Sequence, residues 1–169
     1  DTIDFSATTV NIFVSLRSSS VQTVSPGFKL SIAPDAIENL IGGSGNDTLI
    51  GSNKNNVLMG NGGNDNLIGH GGNDSMLGGL GDDRYLFYQS VGLEADTVIE
   101  LANEGSDTLD FSGMMSNVYA RLWATSIQNV HSGRTLQLSD GGNDSLDGGA
   151  GRDLLIGGLG LDTITGGND

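Results

Sequence analysis

From Gly42 to Leu86 a single apolar side chain returns at every ninth residue, as Leu49, Leu58, Leu67, Met76 and Tyr85. The five rows GGSGNDTLI, GSNKNNVLM, GNGGNDNLI, GHGGNDSML and GGLGDDRYL follow one another without a gap. A second run from residue 139 reads SDGGNDSLD, GGAGRDLLI, GGLGLDTIT and GGND, with Leu146, Leu155 and Ile164 at the same place. A nine-residue period is neither that of an amphipathic helix, about 3.6, nor the strict alternation of a long strand. It fits a strand of three residues, about 10 Å long, with one inward side chain. A six-residue turn follows, in which glycines supply positive φ where other side chains would clash. Two rows then complete one coil, with strands in two opposed sheets. The predicted fold is all-β: a right-handed parallel β-roll or β-solenoid with two runs of nonapeptide repeats. Its core is one side chain thick, so no row is stable alone and stacking supplies the stability.

Outside the rows the pattern changes to alternation. Ile12, Val14 and Leu16 oppose Phe13, Ser15 and Arg17, while Val118, Ala120 and Leu122 oppose Tyr119, Arg121 and Trp123. These arms belong to a longer repeat. DTIDFSATTVNIFVSL at residue 1 matches DTLDFSGMMSNVYARL at residue 107, and Gln22, Val24, Gly27 and Leu30 fall on Gln128, Val130, Gly133 and Leu136. After Asp140 the copies diverge, and the second reads as a shortened one. Ala95-Asp96-Thr97-Val98 and Ser106-Asp107-Thr108-Leu109 read as single degenerate rows that continue the stack, with a looped excursion at 101–105. The row APDAIENLI keeps Leu40 in register and puts Glu38 at the sixth place, a first coil without a full site. The expected division is a leading β arm at 1–32, a first roll run at 33–86, and connecting strands and a loop at 87–106. A second arm at 107–138 and a second run at 139–169, incomplete at its end, complete it.

Charge adds the chemistry. The formal net charge is −14, which excludes nucleic acid and anionic membrane surfaces as partners and favours cations. There is no cysteine, hence no disulfide framework and no thiolate metal site. No apolar run is long enough to span a bilayer, so membrane insertion is not expected. With 36% hydrophobic residues the chain is still too apolar for a disordered polyanion. It opens at DTIDFS without an initiator Met or signal peptide and reads as a segment of something longer.

The negative charge is concentrated at the sixth place of the rows: Asp47, Asp65, Asp74 and Asp83, with Asn56 as the exception, then Asp144, Asp153, Asp162 and Asp169. Rows on one side stack at about 4.8 Å. Two carboxylates at that distance repel by about 3–4 kcal/mol at an effective dielectric near 20. A dication between successive turns reverses the sign. Ca²⁺ takes six to eight oxygens, carboxylate and main-chain carbonyl alike, and glycine turns expose their carbonyls. Mg²⁺ demands a tighter octahedron, and Zn²⁺ prefers His or Cys. Candidate metal residues are therefore the sixth-place side chains with the turn glycines around them. In the first run these are Gly43 and Gly45; Gly60, Gly62 and Gly63; Gly69, Gly71 and Gly72; and Gly78 and Gly81. In the second they are Gly142, Gly149, Gly151 and Gly157.

These rows resemble the repeats-in-toxin (RTX) nonapeptide, G-G-x-G-x-D-x-U-x. The resemblance implies a parallel β-roll with calcium between turns on the same side. Row 42–50 would then pair with 60–68, 60–68 with 78–86, 51–59 with 69–77, 139–147 with 157–165, and 148–156 with 166–169. That allows up to five sites. It also implies type I secretion and folding outside the cell, on the cell surface or beyond it. Asn56, and Lys54 at a glycine place, weaken the site shared with Asp74, and the last site is incomplete.

The alternatives are blander or belong to other classes. The Asp file could be a set of Asx turns, which eight Asp in two phased runs make a poor explanation. Tyr119, Arg121 and Trp123 could hold a sugar or peptide, or simply pack under loops. His70 is expected to be solvated in a turn, and no nucleophile elbow accompanies it or His131. Paired carboxylates of the glycosidase kind are already accounted for as metal ligands. The sequons at Asn46, Asn73 and Asn143 read as by-products of the repeat. The segment is expected to be non-enzymatic and to bind several calcium ions, folding as they bind between stacked turns of a larger secreted or surface protein. Other roles are a secretion or polysaccharide-binding module attached to a secreted enzyme, or a tandem extender of an adhesin contacting a cell-surface ligand.

Overall fold

The computed structural model describes residues 1–88, 95–100, 104–105, 107–113, 119–121, 128–130, 134–138, 145–147, 154–156, 161 and 163–165. The first half carries β1 (Thr2–Asp4), β2 (Phe13–Ser15), β3 (Gln22–Ser25), β4 (Phe28–Leu30), β5 (Asn39–Ile41) and β6 (Thr48–Ile50). It continues with β7 (Val57–Gly62), β8 (Asn66–Ile68), β9 (Ser75–Leu80), β10 (Arg84–Tyr88) and β11 (Thr97–Glu100). The second half carries β12 (Thr108–Gly113), β13 (Tyr119–Arg121), β14 (Gln128–Val130), β15 (Arg134–Leu138), β16 (Ser145–Asp147), β17 (Leu154–Ile156) and β18 (Thr163–Thr165). Among the described residues there is no helix that could cross a membrane.

Alternate rows go to alternate sheets. One sheet runs β1-β5-β7-β9-β11-β15-β14 and the other β18-β16-β12-β10-β8-β6-β2. Within the roll the pairing is parallel and the register places each eighth-place residue on the next: Leu40 on Leu58 on Met76, and Leu49 on Leu67 on Tyr85. The chain is thus a parallel β-roll, as the nine-residue period predicts. Rows 42–50, 60–68 and 78–86 stack in one file, and 51–59 stacks on 69–77. Row 139–147 stacks on 157–165. The partner expected for 148–156 lies outside the described residues.

The core is the file of eighth-place side chains. Leu40, Leu49, Leu58, Leu67, Met76, Tyr85 and Val98 are all fully buried, joined by Val14 and Leu16 from the leading arm. Of the two alternating faces of that arm, Ile12, Val14 and Leu16 are buried and Phe13 is exposed. Tyr85 is the one aromatic in the file, and its phenol oxygen accepts the Gly78 amide at 2.6 Å. The degenerate rows hold their expected places, with Val98 paired to Met76 and Leu109 to Tyr85.

β3 and β4 form an antiparallel hairpin outside the roll. Its Gln22 closes the outer edge of β2. The Gln22 side-chain oxygen accepts the Ser15 amide at 2.8 Å, and its nitrogen donates to the Ser15 carbonyl at 2.9 Å.

One expectation is corrected. The second copy is not shortened after Asp140. Thr2 pairs with Asn39 and Thr108 with Ser145; Phe13 pairs with Thr48 and Tyr119 with Leu154. Every residue of the second set lies 106 positions beyond its counterpart. The copies therefore stay in step through the second run: SDGGNDSLD answers APDAIENLI, because Leu146 keeps the register place of Leu40. Matching the GGND motif, instead of the core residue, creates the false gap.

Candidate metal centre

The sixth-place side chains of the first run turn inward at the ends of the strands. Asp47, Asn56, Asp65, Asp74 and Asp83 are at most 2% exposed. Each Asp is fixed by the coil before it, one carboxylate oxygen accepting a main-chain amide of that coil, whereas Asn56 accepts the Ser52 amide of its own turn at 2.6 Å and donates Nδ2 to the Glu38 carbonyl at 3.0 Å. Asp47 N donates to Asp65 Oδ1 at 2.7 Å, Asp65 N to Asp83 Oδ1 at 2.7 Å, and Asn56 N to Asp74 Oδ1 at 2.8 Å. The file begins at Ile12, whose amide donates to Asp47 Oδ1 at 2.9 Å. It extends past the regular rows, since Asp74 N donates to Asp96 Oδ1 at 3.1 Å and Asp83 N to Asp107 Oδ1 at 2.9 Å.

A second ladder runs the other way through the fifth place. Asn64 N donates to Asn46 Oδ1, Asp82 N to Asn64 Oδ1 and Asn73 N to Asn55 Oδ1, at 2.9–3.0 Å. Asn46 and Asn73 thus have a structural use within the sequons.

The remaining oxygens create the chemistry. Asp65 Oδ2 and Asp83 Oδ2 are buried and have no hydrogen-bond partner among the described residues. Around the first-place glycines, carboxylate and carbonyl oxygens converge. A Cβ at Gly60 would collide with Asp65 Oδ2 and lie 2.6 Å from the Gly78 carbonyl of the next coil. A Cβ at Gly42 would lie 2.5 Å from Asp47 Oδ2 and 2.8 Å from the Gly60 carbonyl. At Gly51 the oxygens are Asn56 Oδ1, at 2.7 Å, and the Gly69 carbonyl. The glycines therefore keep open a cradle lined by acceptors, with no donor between them at Asp65.

Electrostatics agrees with the geometry. Burial raises the Asp65 carboxyl to about 7, against the Asp47 amide that lowers it; the charges of Asp83 and Asp47 raise it further. Burial likewise raises Asp83 to about 7, with Asp107, Glu104 and Asp82 adding to the rise. Asp47 is raised by burial and held back by the amides of Gly43 and Ile12. A cation in the cradle would remove the cost that burial imposes on the charged form.

Among the described residues no three acidic or imidazole side chains converge. Any ion held here must draw on main-chain carbonyls. Calcium accepts such a mixed oxygen set, so the residues present fit it.

The expected site glycines divide by role. Gly63, Gly72 and Gly81 take positive φ, and a Cβ on any of them would strike the turn before it. Gly43 and Gly45 pack against Thr8 and Val10, and Gly62 has nothing closer than 3.9 Å. Gly71 donates its amide to the Ser52 carbonyl at 3.1 Å. Asn61 and His70 occupy the second place at φ 76 and 68, where Gly79 also has positive φ. Asp144, Asp153, Asp162 and Asp169, with Gly142, Gly149, Gly151 and Gly157, lie outside the described residues, as do Trp123 and His131.

Asp96 and Asp107 were absent from the expected set. Their signal was present in Asp-Thr-Val and Asp-Thr-Leu, an Asp two places before an inward residue. His70 is not solvated as expected. It is half-buried, accepts a hydrogen bond on Nδ1 from Arg17 Nη1 at 2.8 Å, and stacks on Tyr88 with ring centroids 5.7 Å apart.

Residues 1–131 match a family model described as peptidase M10 serralysin C terminal. Residues 138–169 match the model of the RTX calcium-binding nonapeptide repeat in four copies. No curated protein matches the chain.

Proposed function

The chain belongs to the peptidase M10 serralysin C-terminal family and carries RTX calcium-binding nonapeptide repeats, and from this we propose that it is a calcium-folded segment of a larger secreted protein. The observation that carries the reading is the buried Asp65 Oδ2, set against the Gly78 carbonyl without a donor between them. Above pH 7 the metal-free fold must carry charge there, and a dication removes the penalty. Asp47, Asp65, Asp74 and Asp83 would supply carboxylate oxygens, and Gly60, Gly69 and Gly78 carbonyls. Asn56 offers a neutral oxygen in place of a charged one, so its site is the weakest of the first run. Asp96 and Asp107 extend the two files by one coil each. Binding free energy then becomes folding free energy. Secretion through a type I route would keep the chain unfolded until it meets extracellular calcium.

The test is far-UV circular dichroism in chelator at pH 8, titrated with CaCl₂ and separately with MgCl₂. A cooperative gain of β signal with calcium alone is expected. A spectrum already β-rich in chelator and indifferent to calcium would overturn the reading.

The family description favours a place behind an enzyme in the parent protein, whereas the 106-residue repeat favours a tandem extender. Upstream sequence separates these: a catalytic domain supports the first, further copies of DT(I/L)DFS the second.

A further inference from the structure

One segment occurs twice in this chain in different surroundings. In the second copy, Thr108–Asp110 lies between β10 and β16. It receives the preceding row by three contacts. Thr108 N donates to the Asp83 carbonyl at 2.8 Å, Asp83 N donates to Asp107 Oδ1 at 2.9 Å, and Arg84 forms an ion pair with Asp110. In the first copy Asp1, Thr2 and Asp4 hold the same three places. There β1 pairs with β5 on one side and ends its sheet on the other. All three residues are exposed. Asp4 accepts the Ser6 amide at 2.7 Å, and no ion pair reaches it among the described residues.

The other sheet repeats the contrast. Gln137 and Leu138 of β15 pair with Ile99 and Glu100 of β11. Their counterparts, Ser31 and Ile32, belong to no strand. The outer edge of β2 is meanwhile closed by Gln22. An unpaired parallel edge is an aggregation hazard unless something covers it. Here the edge bears the very residues that fit a β10-like row with its Arg.

The strand count sets the orientation. Among the described residues the first copy contributes nine strands to the roll, β1, β5, β7, β9 and β11 to one sheet and β2, β6, β8 and β10 to the other. Because nine is odd, β12, the counterpart of β1, enters the opposite sheet from β1.

We propose that the β1 edge takes the row of a preceding copy of this same unit that corresponds to β10, through the contacts that join β10 to β12, each unit being turned by half a turn about the roll axis from the one before. Adhesion of a preceding row then needs Arg at the place of Arg84, while the residue before it contributes its main-chain amide and carbonyl. Arms of the β3–β4 type project alternately to opposite sides. The inference rests on strand pairing and is independent of the metal.

The test places residues 1–106 ahead of the full sequence and works in CaCl₂. Asp4→Asn at the inner copy should lower Tm by about 2–4 °C, as a lost ion pair of about 1 kcal/mol does in a chain of this size. Asp110→Asn should do the same in the 169-residue chain, where Asp4→Asn should leave Tm unchanged. Indifference to Asp4→Asn in the extended chain, beside a response to Asp110→Asn, overturns the docking. The chain has no cysteine, so Lys29→Cys in the first two units can carry spin labels. Nine strands advance the roll by about 22 Å. A half turn adds the width of the roll, so a label distance well above that is expected. A distance of about 22 Å would place both arms on one side and overturn the half turn.

Discussion

At Asp65 one side chain serves two states of opposite preference. Without metal its Oδ2 is buried and has no hydrogen-bond partner among the described residues; in the proposed bound state that oxygen is a ligand. Asp65→Asn should therefore stabilise the chelated chain at pH 8 and yet weaken calcium binding, raising the calcium midpoint by about tenfold or more, roughly 1.4 kcal/mol. Thermal melts with and without calcium check the two signs. Asn56→Asp reverses both: it should lower the calcium midpoint and destabilise the chelated chain. Glycine requirements are equally local. Gly60→Ala drives a methyl into Asp65 Oδ2 and should abolish the cradle. Gly27→Ala meets nothing within 4 Å and suffers only its φ of 82, about 1 kcal/mol. Calcium titration followed by circular dichroism separates the pair: a normal transition in Gly60→Ala would sink the assignment.

Among elements, the three-residue strands β6 and β8 survive because each is pinned in four ways. The parallel ladder, the inward apolar side chain, the Asp ladder and the opposed Asn ladder all tie one coil to the next. Leu58 lies between Leu40 and Met76 with no exposure. Leu58→Ala should cost about 2–5 kcal/mol. With folding coupled to binding as proposed, the loss should read as a higher calcium midpoint with an unchanged folded spectrum. The rows and their inward residues were legible in the sequence because the nine-residue period repeats. Tyr85 broke the pattern by type, not by place. In the second run the glycine motif of SDGGNDSLD suggests a gap that the strand register at Ser145 does not contain.

For the whole molecule, proton and calcium compete. Asp65 and Asp83 have folded pKa values raised to about 7, above the 3.8 of an exposed Asp. Between these values the metal-free fold binds more protons than the unfolded chain. Its stability is therefore greatest below about 4 and falls as pH rises through that window. In chelator the β signal should be stronger at pH 4.5 than at pH 8, and calcium should restore it at pH 8. A chelated chain more ordered at pH 8 than at pH 4.5 would contradict this account. Apparent calcium affinity should also weaken below pH 7, because the ion must displace protons from both carboxyls.

What the sequence by itself determined was the coil: a period that no helix or long strand satisfies, an inward residue per row, and a file of like charges that demands a counter-ion. These are local and repeated, so each row states them again. What only the tertiary structure decided was how rows from distant parts of the chain meet. Asp96 and Asp107 join the Asp files across connecting segments of irregular length, and Gln22 acts as the missing neighbour of Ser15. His70 finds Arg17 and Tyr88, far from it along the chain. The half-turn between copies depends on the parity of the strand count. Spacing along one chain cannot show which edge faces which, because hydrogen bonds between coils are set by register in space.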